Sequence, residues 1–255
     1  MQFTVFVLTG VGANAAESIA KPSSLNHELR ADWSKAIVGD KVPALALLWE
    51  TESSAALLSV KAGNGKTALM AACKKGDQEF AMQLVKAGAD INALTSTNGT
   101  ALMFAVLGNR LSVAMWLQSA GADINQQGSN GWSAMIIAAA LGLDEMVDWL
   151  LSVDADANAV DVYRFTPLMR AVDNGHLGAA RLLLNAPGVN PDAQNEVGNT
   201  ALHHAIGNND IALVTVLLEY QADSLLANRE GLTPMHLAAE SDGVLSVLQR
   251  FQSVD

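Results

Sequence analysis

The most constraining feature of this sequence is a motif that returns about every 33 residues. A Thr or Ser anchor stands at six positions, separated by 33, 33, 33, 34 and 33 residues: Thr67, Thr100, Ser133, Thr166, Thr200 and Thr233. Most anchors precede a short apolar segment, a Gly or Asn and a second apolar segment; the stretch Tyr163–Gly175, YRFTPLMRAVDNG, is one copy up to its Gly. A unit this small cannot bury its own apolar face, so the repeat predicts units that stack into a solenoid.

The pattern inside each unit predicts two short helices. The anchor hydroxyl can cap the first helix, and Pro167 and Pro234 occupy its first turn, where no amide donor is required. Gly88 and Gly121 follow the second helices, at a position where a positive φ is easiest for Gly. Half of the residues are apolar and only 5% are aromatic, so burial must come from small and aliphatic side chains on closely packed helices. This composition favours an all-α fold.

The repeated units resemble ankyrin repeats. The family pattern is a Gly-x-Thr-Pro-Leu-His turn and helix followed by a Gly-Ala-Asp-x-Asn loop, and this sequence has GLTPMHLAA at 231–239 and GADIN at 88–92 and 121–125. The resemblance implies an all-α ankyrin-repeat solenoid of helix-turn-helix units with β-turn fingers. We expect six repeats, at about 63–94, 95–127, 128–160, 161–194, 195–227 and 228–255. The last second helix, Val244–Phe251, has a polar outer face that suits a C-terminal cap.

The residues before the first repeat divide into a leader and a cap. Residues 21–62 are predicted to form a linker and an N-terminal pair of capping helices, one over Glu28–Val38 and one from Pro43 to about Trp49, with a long connection over Thr51–Gly63. Residues 1–20 have an apolar run, Phe3–Val11, and a small-x-small sequence that are typical of a secretory signal cleaved near Ala15 and Ala16.

The leader predicts export, and the resemblance implies the periplasm of a bacterium as the destination. It has no Lys or Arg before the apolar run, unlike most secretory signals. The alternative is therefore a leader that is retained in a cytoplasmic protein. Later apolar runs are all interrupted before about 18 residues, so we expect no transmembrane helix.

The charge of the chain and its motifs argue against several kinds of ligand. A net charge of -11 disfavours contact with phosphate backbones, so we expect no nucleic-acid partner. The sequence GNGKT at 63–67 resembles the end of a phosphate-binding loop, but Val60 stands where that motif requires Gly. Asp154, Asp156 and Asn158 begin like a calcium loop, which then lacks its Gly and its final Glu. We therefore expect no cofactor and no metal.

The residues that most often carry catalysis have structural explanations here. His203 and His236 occupy the His position of the family pattern, where the side chain links turns by hydrogen bonds. His203 and His204 are adjacent in sequence and therefore point to different faces of a helix, which disfavours a shared metal. The single cysteine, Cys73, lies in an apolar helix. We expect a protein that is not an enzyme and is a monomer.

The resemblance implies a partner-binding surface on the concave face, which is built from the finger tips and the exposed sides of the first helices. Trp132 and Phe165 are one period apart, with Tyr163 and Arg170 nearby, and clustered aromatics with Arg are typical of an interface hot spot. The candidate partner-binding residues are Trp132, Tyr163, Phe165, Arg170, Asp173, Lys74, Asn199 and Arg229. The alternative is that the rings fold back over a neighbouring repeat and that Lys74 is only solvated.

The finger that contains Arg164 departs from the pattern. Arg164 stands where Gly65, Gly131, Gly198 and Gly231 stand in other repeats. Because a bulky residue adopts a positive φ reluctantly, this residue should strain or reshape its turn.

These observations favour a non-enzymatic module that binds a protein partner through the concave face. The chain resembles bacterial periplasmic ankyrin-repeat proteins, some of which are encoded beside catalases and are thought to assist oxidant defence. The alternative is an inhibitor or antitoxin-like protein that blocks the active site of an enzyme, with its acidic surface mimicking a substrate. Strong salt dependence of binding would favour that alternative.

Overall fold

The computed structural model describes residues 27–52, 55–239 and 241–252, and these form a stack of short helices. The predicted signal segment, 1–20, lies outside the described residues. Three helices precede the repeats: α1 (His27–Val38), α2 (Val42–Glu52) and α3 (Ala55–Leu58). Six pairs follow: α4 (Ala68–Lys75) and α5 (Gln78–Lys86), α6 (Ala101–Leu107) and α7 (Leu111–Ser119), α8 (Ala134–Ala140) and α9 (Asp144–Ser152), α10 (Pro167–Asp173) and α11 (Leu177–Asn185), α12 (Ala201–Gly207) and α13 (Ile211–Glu219), α14 (Pro234–Ala238) and α15 (Asp242–Gln252).

The anchor residues cap the first helix of each repeat, as the sequence predicts. Each anchor has an extended backbone, and its hydroxyl accepts a hydrogen bond from the backbone N–H three residues later. In the fifth and sixth repeats the imidazoles of His203 and His236 complete the cap, because each Nδ1 accepts from the backbone N–H of its own anchor. This cap satisfies amides that a helix end leaves without partners.

The buried apolar residues form a core that extends along the whole stack of helices. One apolar core runs from Trp33 in α1 to Leu248 in α15 and takes in both helices of every repeat. The Ala residues in the middle of the first helices, such as Ala105, Ala138 and Ala171, are fully buried where neighbouring first helices touch. The predicted all-α ankyrin-repeat solenoid is confirmed by this arrangement.

The loops before the anchors form the predicted β-turn fingers. These fingers span 62–66, 95–99, 128–132, 161–165, 195–199 and 228–232, and each is closed by a hydrogen bond between its first N–H and its last carbonyl. Neighbouring tips are joined as well: for example, the Val162 N–H donates to the Asn130 carbonyl (3.1 Å) and the Glu196 N–H to the Tyr163 carbonyl (3.0 Å). Side chains on successive fingers are therefore held in register.

The N-terminal cap differs from the prediction in one element. A short helix, α3, lies within the stretch that the sequence indicates as a long connection. Its residues, AALL, have high helix propensity, and Leu57 is fully buried in the apolar core. The last helix, α15, also begins two residues before the predicted Val244, at Asp242.

An ion pair joins the cap to the first repeat. Asp40, in the turn between α1 and α2, accepts hydrogen bonds from Lys66 and from Lys74, the latter at 3.2 Å. Lys66, the last residue of the first finger, is buried. Burial raises the pKa of Asp40, but the bonds and positive charges of Lys66 and Lys74 outweigh burial and hold that pKa below its ordinary value.

The lowered pKa of Asp40 predicts an acid-sensitive cap. A carboxyl group whose pKa is lower in the folded state contributes stability above its unfolded pKa and loses it as the pH falls through the folded value. We expect Asp40→Asn to reduce the free energy of unfolding by about 1–3 kcal/mol at pH 6, because buried Lys66 loses its counter-ion. The difference between variant and wild type should shrink steadily below about pH 4. Urea unfolding from pH 6 to pH 2.5 measures it, and a gap that stays constant over this range contradicts the ion-pair contribution.

Candidate functional site

An aromatic–arginine cluster, formed by Trp132, Asp161, Phe165, Arg170 and His204, lies on the fingers and first helices, where the family resemblance predicts the concave face. The Arg170 guanidinium lies 4.1 Å from the centroid of the Phe165 ring and 5.3 Å from that of Trp132. Phe165 also contacts the His204 ring, with 5.0 Å between centroids. The third and fourth repeats thus bring Trp132, Phe165 and Arg170 together, as the one-period spacing indicates.

Asp161 links its own finger to Arg170 by hydrogen bonds. It is buried, and one carboxylate oxygen accepts the backbone N–H groups of Tyr163 and Phe165, both at 2.9 Å. Its other oxygen accepts Nε of Arg170 at 3.1 Å and also a terminal guanidinium nitrogen. The same carboxylate therefore closes its finger and fixes the guanidinium between the two rings, which uses two of the donors that Arg170 has for a partner.

His204 continues the hydrogen-bond network into the fifth repeat. Its Nδ1 lies 3.1 Å from the Asp173 carboxylate, and its Nε2 lies 3.3 Å from the side-chain nitrogen of Asn195. Burial lowers the pKa of His204, although the Asp173 carboxylate opposes this effect. An imidazole that donates from Nδ1 and accepts at Nε2 satisfies both contacts in its neutral form.

An apolar groove lies beside the cluster, and Trp132 belongs to both. It has a volume of about 240 Å³, and its apolar lining includes Phe104, Leu107, Trp132 and Ile137. Gly99 lies at its edge, at the position just before the anchor, where the other repeats carry Lys66, Trp132, Phe165, Asn199 and Leu232. The absence of a side chain at Gly99 leaves the groove open.

The comparisons with known proteins agree with this architecture. The family model described as ankyrin repeats (3 copies) matches residues 39–128, 116–195 and 187–252. The chain belongs to the ankyrin-repeat family. Ankyrin repeats generally mediate protein–protein interaction.

Several ankyrin-repeat proteins resemble this chain. A mouse B-cell lymphoma 3 protein homolog is 39% identical over 84 residues, which are 33% of this chain and 18% of that protein. The crystal structure of the ankyrin-repeat domain of Bcl-3, described as a unique member of the IkappaB protein family, has a TM-score of 0.71 at 30% identity and covers 86% of this chain and 97% of that one. The ankyrin-repeat domain of human ASB11 has a TM-score of 0.73 at 23% identity, covering 86% and 96%.

The curated relatives share segments of the fold. The chain spans between 18% and 50% of the length of those it matches, which also include fowlpox virus and zebrafish ankyrin-repeat proteins. These relatives come from vertebrates and a virus, so the resemblance to bacterial periplasmic proteins stays a prediction.

The predicted partner-binding residues differ in how exposed they are and in the residues that they contact. Tyr163 has 55% of its surface exposed on a finger tip, whereas Trp132 and Phe165 are half-buried by Arg170. Asp173 lies beside His204 and Lys74 beside Asp40. Asn199 accepts a hydrogen bond from the side chain of Asn228 at 2.8 Å, and Arg229 is exposed on the last finger.

Sequence reasoning missed Asp161, Gly99 and Phe104 as parts of this face. Asp161 carried a usable signal, because it stands nine residues before Arg170 just as Asn195 stands nine residues before His204. Gly99 carried another, since the other five repeats all have a longer side chain immediately before the anchor.

His203 and Cys73, two side chains that could carry catalysis, are buried within the fold. His203 is buried, and its Nε2 donates to the Leu232 carbonyl at 3.1 Å; burial lowers its pKa. Burial raises the pKa of the Cys73 thiol to about 12, which keeps it protonated and unreactive near neutral pH. Within residues 27–52, 55–239 and 241–252 there is no group of three or more His, Cys, Asp or Glu placed to hold a metal ion. None of the described helices is both long enough and apolar enough to cross a bilayer.

Proposed function

We propose that this chain is a non-enzymatic module that binds a protein partner through its concave face, centred on the groove beside Gly99. The observation that carries the proposal is an open apolar groove walled by Phe104 and Trp132, with Leu107 at its edge and 47% exposed. Leu141 follows α8 in the next repeat and is 46% exposed. Exposed apolar side chains around a concave pocket are the usual centre of an interface.

The non-enzymatic character is supported by the burial and internal hydrogen bonds of the side chains that could carry catalysis. His203 and His204 are engaged in bonds within the fold, and the Cys73 thiol is buried. The relatives that match this chain are ankyrin-repeat proteins.

We propose further that the protein is exported and supports an envelope or oxidant-defence protein in the periplasm of a bacterium. This proposal rests on the sequence of residues 1–20 and on the resemblance that the repeats suggest. N-terminal sequencing of the mature protein tests it, since a chain that begins at Ala16 supports export and a chain that retains Met1 contradicts it.

A paired set of charge insertions tests the concave face. Leu107→Glu with Leu141→Glu places two carboxylates beside the groove, and we expect it to reduce capture of partner proteins from soluble and envelope fractions at least about tenfold, because burying an unpaired charge in an interface is costly. Met82→Glu with Met115→Glu adds the same charge to exposed positions on α5 and α7, and capture should stay near the wild-type level. Quantitative mass spectrometry measures both, with helical content by circular dichroism as the control for folding.

The same capture experiment separates the leading proposal from the inhibitor alternative. The net charge of -11 is the observation that favours an acidic protein which mimics a substrate. If capture collapses between low and high salt and Leu107→Glu with Leu141→Glu has no effect, the acidic surface and not the groove is responsible. Equal loss in the groove pair and the Met pair contradicts a concave-face interface.

A further inference from the structure

The finger of the fourth repeat adopts a left-handed backbone at a residue that is not Gly. Arg164 has a φ of 62°, while Gly65, Gly131, Gly198 and Gly231 have φ values of 78° to 83° at the same position. Asn98 holds this position in the second finger, and Asn tolerates this conformation better than a long side chain does. Arg164 therefore adopts the positive φ that the sequence analysis expects a bulky residue to adopt reluctantly. Its side chain makes no hydrogen bond or ion pair within the described part of the chain.

Arg164 and Arg229 line the same open cleft. The cleft has a volume of about 450 Å³ and lies along the fifth finger, with Gln194, Asn195 and Asn228 among its other residues. Gly198 forms part of it, where a Cβ atom would lie only 2.7 Å from the backbone nitrogen of Arg229. The packing of the fingers thus keeps this position free of a side chain.

The two guanidinium groups are the uncommitted donors of this cleft. The side-chain nitrogen of Gln194 already donates to the carbonyls of Gly198 (2.7 Å) and Ala227 (3.0 Å), and that of Asn228 donates to Asn199. Neither Arg164 nor Arg229 forms an ion pair within residues 27–52, 55–239 and 241–252, although Glu196 and Glu230 lie on neighbouring finger tips. Two unpaired positive charges in one polar cleft repel each other, so an anion between them would relieve that repulsion.

We propose that this arginine cleft, formed by Arg164 and Arg229 over Gly198, binds carboxylate side chains of an acidic segment in the protein partner. Guanidinium groups pair with carboxylates through two parallel hydrogen bonds, which gives both affinity and orientation. The exposed apolar residues Val162, Tyr163 and Val197 are on the same fingers, each at least half exposed, and offer contacts to a polypeptide that a free inorganic anion would not use. The strained backbone at Arg164 is kept because that position places the charge in the cleft. This inference rests on the proposed protein-binding function and adds the chemistry of the partner.

A hexa-aspartate peptide is the probe that tests the cleft directly. The Nε–Hε resonances of Arg164 and Arg229 are identified by their absence from spectra of Arg164→Gly and Arg229→Gln, and the wild-type protein is then titrated with the peptide by NMR. We expect both resonances to shift, the affinity to fall as salt is added, and each single variant to lower it at least about fivefold. Lys86→Gln removes an equal charge from an exposed position on α5 and should leave the affinity unchanged.

Arg164→Gly supplies a readout that a purely structural role would not produce. Because Gly adopts the positive φ without strain, this variant should raise Tm by about 2–4 °C while it weakens binding of the peptide. A variant that loses both stability and binding shows that Arg164 supports the fold and overturns the proposal.

The remaining outcomes are decisive as well. Absence of a shift with hexa-aspartate, or an equal loss of affinity in Lys86→Gln, overturns the cleft. Inorganic phosphate that saturates the same resonances at a lower concentration than the peptide overturns the acidic-segment assignment in favour of a small-anion site. Failure of the titration leaves the Leu107 and Leu141 capture result untouched, so the cleft and the proposed function fail separately.

Discussion

Replacement of Asp161 by Ala is expected to lower the free energy of unfolding by about 3 kcal/mol or more. The carboxylate is buried and accepts four hydrogen bonds, two from the backbone of its finger and two from the Arg170 guanidinium. Its removal leaves a largely buried cation without a counter-ion and two finger amides without an acceptor. Urea unfolding at pH 7 measures the loss.

Asp161→Asn is the matched variant that separates the two roles of this residue. The fifth and sixth fingers carry Asn195 and Asn228 at the same position, where each side-chain oxygen accepts the same two backbone N–H groups. The Asp161→Asn variant should therefore keep the finger closed and lose only the two charged hydrogen bonds to Arg170. We expect a smaller loss than for Ala, of about 1.5–3 kcal/mol.

A double variant tests whether residues nine apart work as a pair. In the fifth repeat Asn195 faces His204, so Asp161→Asn with Arg170→His recreates in the fourth repeat the pair found in the fifth. Arg170→His should be costly in the wild-type background and nearly neutral in the Asp161→Asn background, with a coupling free energy of about 1–3 kcal/mol in a double-mutant cycle. Additive losses from the two changes contradict a direct interaction.

Gly99→Leu is expected to weaken binding of the partner at least about 30-fold, equivalent to about 2 kcal/mol. The new side chain would occupy the groove between Phe104 and Trp132, which we propose as the centre of the interface. Gly99 is not left-handed, so its backbone conformation allows a side chain. The new Cβ would lie 3.0 Å from the Thr95 hydroxyl and 3.7 Å from a Phe104 ring carbon, so we expect the fold to accept the change with a shift of the Thr95 side chain. Isothermal titration with a captured partner measures the affinity.

Gly207→Leu is the control for steric effects on the same face. Gly207 occupies in the fifth repeat the position of Leu107 in the second, and no atom lies within 4 Å of a Cβ placed there. Its binding should remain within about threefold of wild type if the partner is anchored in the groove. Equal weakening by the two Leu variants would show that the groove is not the anchor, and unchanged binding in Gly99→Leu would falsify its role altogether.

Much of the fold follows from local sequence signals. A capping hydroxyl, a Pro in the first helical turn and a residue suited to positive φ each act over a few residues, so their effects can be read without knowing the neighbours. Arg164 illustrates this point, because the turn geometry set by the other fingers requires a positive φ there and the structure has it. The position of Trp132 beside Phe165 and Arg170 also follows, since a constant period stacks equivalent positions.

The candidate site was only partly predictable for the same reason. The period indicates which residues are neighbours, but it does not show whether a side chain binds a partner or bonds within the fold. Arg170 was predicted to bind a partner, which stays a prediction, and the sequence did not show that its guanidinium is also held by Asp161 beside two rings. Lys66 is buried against Asp40 of the N-terminal cap, a residue that lies outside the repeats, so the period alone could not reveal this pair.

The sequence by itself determined the architecture of this protein: the number of stacked units, the starts of the first helices and the positive φ at Arg164. All of these depend on interactions within one unit or between equivalent positions, and the 33-residue period records them. Only the tertiary structure decided where the concave face is open and which charges are free. The groove exists because Gly99 has no side chain between Phe104 and Trp132. The cleft carries charge because Arg164 and Arg229 form no ion pair with the neighbouring described residues. Both depend on distances between side chains of adjacent repeats, which the one-dimensional pattern does not contain.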